Sequence, residues 1–368
     1  MKIGILTFHR PLNYGALLQA TALRSYLQDM GHEVYYVDYW PEYHANLYST
    51  FNRSNFDASG IIRKCLMLTK FLLSYIGRKK RIDAFAPFIK KNIEPYCVPY
   101  NSDFHYDLVI YGSDQIWRNF KSLGNRQDIV YFGVNEVHAK NHASYAASMG
   151  NIIVNDKDIS ILKEGLSRFR MIGVREKSLV QLMNSWGFTN VFQNIDPTLL
   201  LSSAKWEDIM TPKRLIKEPY LVVYSIRKAF DDKQIERYAQ RHNLRVVNIG
   251  SRFSFKDRHN EYNVTSPYDF ISLIKYADFC FMASFHGLVF SIIFQRQFFT
   301  SFATAADRAK TLLADLELED RMLPAFSEVP QEQKQIDYKI VASKLEQHRV
   351  SSEEYIKRLI SANEETES

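Results

Sequence analysis

In under forty residues the chain passes from the apolar run KIGILTF, through a polar turn at His9–Gly15, into ALLQATALRSYLQDMG and out into EVYYVDY. The outer runs have the length and the aromatic and β-branched content of buried strands. Between them Leu17, Leu18, Leu23 and Leu27 recur at helical spacing, and Gly31 stands where a helix would stop. A strand, a helix and a second strand joined this tightly place the two strands parallel in one sheet, because a parallel pair needs a crossover that packs back on it. Parallel sheets are covered on both faces, so the fold class is α/β.

The alternation continues. DLVIYG, NHASYAASMG, MIGV and NVFQNI read as further strands, with helices from about Lys157 to Phe169 and from Lys177 to Ser185. It is interrupted between Asn46 and Pro95 by a polar loop and a helical pair, and it pauses at Ser202–Pro219, a charged tract with two prolines that reads as an interdomain linker. A second series follows: PYLVVYSI, a helix over Asp231–Arg241, LRVVNIG, a helix over Pro267–Tyr276, and YADFCFMASFHGLVFSIIF. The expected architecture is two Rossmann-like α/β domains facing across a cleft. Residues 1–205 form the first and 206–325 the second, with a C-terminal helical segment and acidic tail over 326–368. There is no internal repeat and no low-complexity segment.

A chain of 368 residues exceeds what one core usually supports, in keeping with two domains. Its 47 Lys and Arg against 41 Asp and Glu make it mildly basic, with the charges spread throughout. That suits a small anionic substrate and gives no reason to expect nucleic acid. The densest basic run, Gly77–Arg81, is normally a solvated face and is also the candidate for peripheral contact with anionic lipid. No stretch reaches the length of a bilayer span, and the apolar start Ile3–Phe8 is shorter than a signal-peptide core. A cytoplasmic location is expected, with the inner face of the membrane as its variant. Cys65, Cys97 and Cys280 are odd in number and far apart, and His138 and His142 lack an acidic companion. Asp156-Lys157-Asp158 sits where it would cap a helix. The expectation is therefore no metal and no resident cofactor. Nothing specifies an oligomeric state.

In an open parallel sheet, ligands bind beyond the carboxyl ends of the strands, so the residues that follow each apolar run are the candidates. They are Asn13, Tyr14 and Gly15; Gly112, Ser113 and Asp114; Ser148 with Gly150; Arg175 with Glu176; Asp196; Arg227; and the turn Ser284-Phe285-His286-Gly287. The last turn begins a helix, whose free N–H groups and dipole favour phosphate or carboxylate, and His286 adds a titratable proton. A capped helix carrying a packed histidine would read the same way. Arg175 can fork onto phosphate or carboxylate, or close a structural ion pair. The chain has no G-x-G-x-x-G after its first strand and no G-x-x-x-x-G-K-[ST], which disfavours dinucleotides and P-loop nucleotides.

Taken in order, KIGILTFHRPLNYGALLQATAL, YDLVIYGSDQIW, YAASMG, GVREKS, NIDPTLLL and YADFCFMASFHGLVFSIIF resemble the polysaccharide pyruvyl transferase family, over nearly the whole chain to about residue 315. The resemblance implies a GT-B-like fold. It also implies a transferase that moves the enolpyruvyl carbons of phosphoenolpyruvate to a sugar, forming a pyruvate ketal on a bacterial cell-surface glycan or exopolysaccharide precursor. Phosphoenolpyruvate would be the donor co-substrate, and the acceptor a glycan, free or lipid-linked. The histidine of the family's helix-start motif falls on His286, the expected proton-transfer residue. Arg175 and the helix start would hold the donor's anionic groups. Many members carry an arginine two residues before that histidine, where this chain has Ser284, so that either Arg227 or another cation replaces it or the anion geometry differs. That departure is the argument for one rival, a glycan-binding protein with a degenerate site. The shared architecture is the argument for another, a GT-B glycosyltransferase using a nucleotide sugar.

Overall fold

The computed structural model describes residues 1–48, 61–150, 153–250, 262–303 and 306–364, with no side-chain description at 46–48, 61–74 and 364. The polar loop expected before residue 61, the side chain of Cys65 and the end of the acidic tail lie outside what is described. The first half runs β1 (Lys2–Leu6), α1 (Tyr14–Asp29), β2 (Glu33–Asp38), α2 (Glu42–Tyr48), α3 (Ile61–Asn92), β3 (Cys97–Pro99), β4 (Tyr106–Tyr111), β5 (Ala139–Ala147), α4 (Asp156–Leu166), β6 (Phe169–Val174), α5 (Lys177–Ser185) and β7 (Val191–Gln193). The second runs α6 (Ser203–Met210), β8 (Tyr220–Ser225), α7 (Asp232–Arg241), β9 (Arg245–Ile249), α8 (Pro267–Lys275), β10 (Phe279–Ala283), α9 (Phe285–Ile293), β11 (Gln297–Thr300), α10 (Asp307–Asp315) and α11 (Tyr338–Glu364).

Among the described residues two wholly parallel sheets result. One has the order β3-β2-β1-β4-β5-β6-β7 and the other β11-β10-β8-β9. Central strands are apolar on both faces, as in FCFMA of β10, where every residue is buried, because helices cover both sides. This is the arrangement of two α/β domains expected from the alternation, and the Rossmann-like, GT-B-like fold that the family resemblance implies. Each sheet has a switch point where the strand order reverses, between β1 and β4 in the first and between β8 and β10 in the second. The crevices beyond these strand ends are where such folds bind ligands, and here both open on one cleft between the halves.

Three local expectations need correction. The tract Ser202–Pro219 is not merely a linker. Ser202 caps a helix, accepting from the Lys205 N–H, and Trp206 and Met210, one turn apart, are both fully buried while the charged residues face outward. The helical pair before Pro95 is one long helix, α3, which carries Pro87 within it. The basic run is not wholly a solvated face either. Arg81 turns inward, donates to the Leu12 carbonyl at 2.7 Å and lies over the rings of Phe85 and Tyr14. No described helix is long and apolar enough to cross a membrane.

The halves share a core. Tyr14 stacks on Phe270 with centroids 4.3 Å apart and donates to the Thr265 carbonyl. Helix α11 begins on the second sheet, where Tyr338 donates to the Arg296 carbonyl, and ends on the first, where Tyr355 donates to the Ser144 carbonyl at 2.6 Å.

Candidate active site

The cleft has a volume of about 320 Å³ and is lined from both halves. The first half contributes Asn13 and Ala16 at the head of α1 and Asp114 and Gln115 after β4. The second contributes Ser284, Phe285 and His286 at the head of α9 and Arg308 at the head of α10. Asn13 caps α1 by accepting from the Ala16 N–H, as its residue type predicts. Ser284 makes no side-chain cap at α9, so the first-turn N–H groups there are left for another acceptor.

At the floor lies a buried ionic cluster. Arg175, which follows β6, places Nη2 3.0 Å from Asp196 Oδ2, and His286 Nε2 lies 3.4 Å from the same oxygen. Both are ion-pair contacts without hydrogen-bond alignment, and Oδ2 has no aligned donor. The other oxygen, Oδ1, is held by the Thr198 N–H at 3.0 Å and the Thr198 hydroxyl at 2.6 Å. Burial alone would raise the Asp196 carboxyl. Arg175 and then His286 outweigh it and hold the group well below the usual carboxylate range. Arg175 also donates to Ser113 Oγ. The ring of Phe285 lies 5.2 Å from the Arg175 guanidinium and 4.9 Å from that of Arg308, within cation–π range of both. Arg308 stands 3.5 Å from Asp114, and burial followed by the nearby charge of Arg175 lowers its guanidinium. Beside the cluster, Ser148 donates to Glu176, whose carboxyl burial raises above its ordinary value.

His286 is seated by a glycine on the other half. A Cβ at position 15 would fall 2.0 Å from His286 Nδ1, so only glycine lets α1 close on the imidazole. With Nε2 turned to Asp196, the ring's other nitrogen lies against the start of α1.

The cleft therefore brings together Asn13, Asp114, Ser284, Phe285, His286 and, at its exposed mouth, Arg227, with Arg175 beneath. Other expected substrate contacts are turned away. Tyr14 is 1% exposed inside the aromatic stack. Gly112 lies where a Cβ would meet the Tyr145 carbonyl, and Gly287 packs on Met282. Ser113 and Ser148 are fully buried and hold Arg175 and Glu176 respectively. Gly15 positions His286. Sequence reasoning placed Asp196 only as a strand-end residue and did not find Arg308, since nothing in the amphipathic pattern of α10 distinguishes a cleft-facing arginine from a surface one.

Elsewhere, His9, Asp38 and Cys97 lie within ligand distance of one another. Both Asp38 oxygens are engaged by Arg10, one of them also by His9, and burial pushes the Cys97 thiol up to about 12. That chemistry suits an ion pair better than a metal. Asp158 pairs with Arg126 and Asn155 caps α4, so Asp156-Lys157-Asp158 begins a helix as expected.

Solved structures that resemble the chain are distant. UDP-GlcNAc 2-epimerase from Methanocaldococcus jannaschii, in complex with UDP-GlcNAc and UDP, is 10% identical with a TM-score of 0.45, covering 98% of this chain and 100% of that one. The glycosyltransferase SnogD from Streptomyces nogalater is 10% identical with a TM-score of 0.45, covering 99% of each. At these scores neither likeness bears on substrate or mechanism. No curated protein matches the chain. The family model for polysaccharide pyruvyl transferase matches residues 13–304, a span that runs from the head of α1 through Arg175, Asp196 and His286, and the chain belongs to that family.

Proposed function

We propose that this transferase takes the enolpyruvyl group of phosphoenolpyruvate and closes it as a pyruvate ketal on two hydroxyls of a glycan acceptor. The observation that carries the reading is the Arg175–Asp196–His286 cluster beneath an uncapped helix start. Phosphoenolpyruvate carries a carboxylate and a phosphate, and the α9 N–H groups, Arg175 and Arg308 offer separate places for them. Arg308 also supplies, next to Phe285, a guanidinium that the chain lacks at Ser284.

His286 is the proton donor. The imidazole, held between Asp196 on its Nε2 side and Gly15 at Nδ1, delivers a proton to the methylene carbon of the donor. The donor's central carbon becomes oxocarbenium-like, and one sugar hydroxyl adds to it, its proton returning to the imidazole. A second hydroxyl then attacks the same carbon, the bond to the phosphate oxygen breaks, and phosphate leaves with the second proton. No resident cofactor enters this scheme. A cytoplasmic enzyme meeting its acceptor near the membrane would suit it.

The test is incubation of the purified chain with phosphoenolpyruvate and a panel of free and lipid-linked glycans, read by phosphate release and by mass spectrometry for the ketal. Turnover of a nucleotide sugar with no phosphate released from phosphoenolpyruvate would replace this reading with glycosyl transfer. Release by neither route would favour a binding protein. In an active preparation, His286→Ala should lower turnover by roughly 10²–10⁴-fold. His286→Gln, which donates a hydrogen bond without titrating, should be no better if the imidazole transfers a proton.

A further inference from the structure

The first-half wall of the same cleft holds polar side chains that the transfer chemistry leaves unused. Arg118 and His44 both line the cleft and rest on the same two rings. The guanidinium lies 5.7 Å from the Phe8 centroid and 5.0 Å from that of Phe120, and the imidazole centroid lies 4.9 Å and 5.2 Å from them. Among the described residues no carboxylate forms an ion pair with Arg118, and its Nε is buried without a hydrogen-bond partner. His44 is 2% exposed, and its Nδ1 is likewise buried without a partner. Unpaired buried polar groups are costly, so a wall that keeps two of them together is suited to a group arriving from outside. Burial, and then the charge of Arg118, lower the His44 imidazole to about 4, which leaves an uncharged ring beside a permanent cation at neutral pH.

We infer that Arg118 and His44 form a phosphate subsite for the acceptor, so that the acceptor is a glycosyl phosphate or diphosphate rather than a neutral sugar. A guanidinium fork matches phosphate oxygens, and a neutral imidazole adds a donor without a second charge. The donor's anionic groups are assigned to α9, Arg175 and Arg308. Arg118, by contrast, follows β4 and stands on Phe8 and Phe120 of the first half. This inference rests on the reading of the cleft as a transfer site.

Calorimetry on the full chain tests it, with methylenediphosphonate as the probe, with and without saturating phosphoenolpyruvate. The probe should bind in both conditions. Arg118→Gln should weaken it at least about tenfold, Arg118→Lys should recover part of the loss, and phosphoenolpyruvate affinity should move less than about twofold in either variant. The lysine variant, with a thermal melt of each protein, separates lost recognition from lost folding. Probe binding that survives Arg118→Gln, or that phosphoenolpyruvate abolishes, would overturn the subsite. Failure of phosphoenolpyruvate to bind at all would overturn the transfer reading instead, while the loss in Arg118→Gln would still support the phosphate subsite. Geranyl diphosphate and uridine diphosphate as further probes separate a lipid-linked from a nucleotide-linked acceptor, and preference for either supports the site.

Discussion

Arg175 and Asp196 neutralise each other where little water reaches, the side chains being 5% and 0% exposed. From the sequence, replacing Arg175 would be expected to cost donor affinity and little else. The structure predicts a second effect, because the alanine variant strands a buried carboxylate. Arg175→Ala should lose about 3–5 kcal/mol of stability, and adding Asp196→Ala should cost much less than the sum of the two single changes. Urea denaturation of the four proteins checks this, and additive losses would mean that the pair is not coupled. Two neighbouring carboxyls have opposite linkage. Asp196 is held below its free value of 3.8, so its contribution is present above about pH 4 and is lost as pH falls through the folded value. Glu176 is raised above 4.5, so its contribution is greatest when protonated and is lost as pH rises through the folded value. Glu176→Gln keeps an acceptor for Ser148 and removes the titration. Its melting temperature relative to wild type should therefore be higher at about pH 8 than at about pH 5. A constant difference in calorimetry would refute this account.

At the scale of elements, the site is made where the first turn of α1 meets the first turn of α9. Gly15 faces His286 across that meeting, while its neighbour Tyr14 faces Phe270. Gly15→Ala should lower turnover by about 10²-fold through misplacement of the ring. The protein should lose about 1–3 kcal/mol by overpacking, which the better helix propensity of alanine offsets only in part. Steady-state rates beside a thermal melt distinguish this from unfolding, and full activity in the variant would show that α1 can yield without moving His286. The strands and most helices were legible, because their periodicity is local. Helix α6 was not, since the two prolines that follow it and the many charges of its tract hide a single apolar stripe of Trp206 and Met210 whose burial depends on the partners that cover it.

Across the whole molecule, acid should loosen the fold before any carboxylate of the cluster titrates. His44 is buried and His142 partly buried, and both imidazoles are lowered from 6.5 to about 4, by burial and then by Arg118 and Arg168 respectively. The unfolded chain binds these protons first, so stability is lost as pH falls from about 6.5 towards 4. His142, beside the Tyr111 hydroxyl at 3.1 Å, lies outside the cleft and isolates the effect. His142→Gln should flatten the decline by on the order of 2 kcal/mol in denaturant titrations across that range. An unchanged slope would locate the acid sensitivity elsewhere.

The sequence by itself determined the parallel α/β class, the two series of strands and the placing of His286 at the head of a helix. Each of these depends on spacing over fewer than about twenty residues, where apolar periodicity and capping act. Only the tertiary structure decided which strand-end residues meet. Arg175, Asp196 and His286 belong to three segments, and Gly15, which seats the imidazole, comes from a fourth. Adjacent residues of α1 project about 100° apart, so whether Tyr14 or Gly15 faces the site depends on where the second half docks. Arg118 and His44 carry no motif at all, and the unpartnered Nε of one and Nδ1 of the other become visible only once the fold has set them side by side.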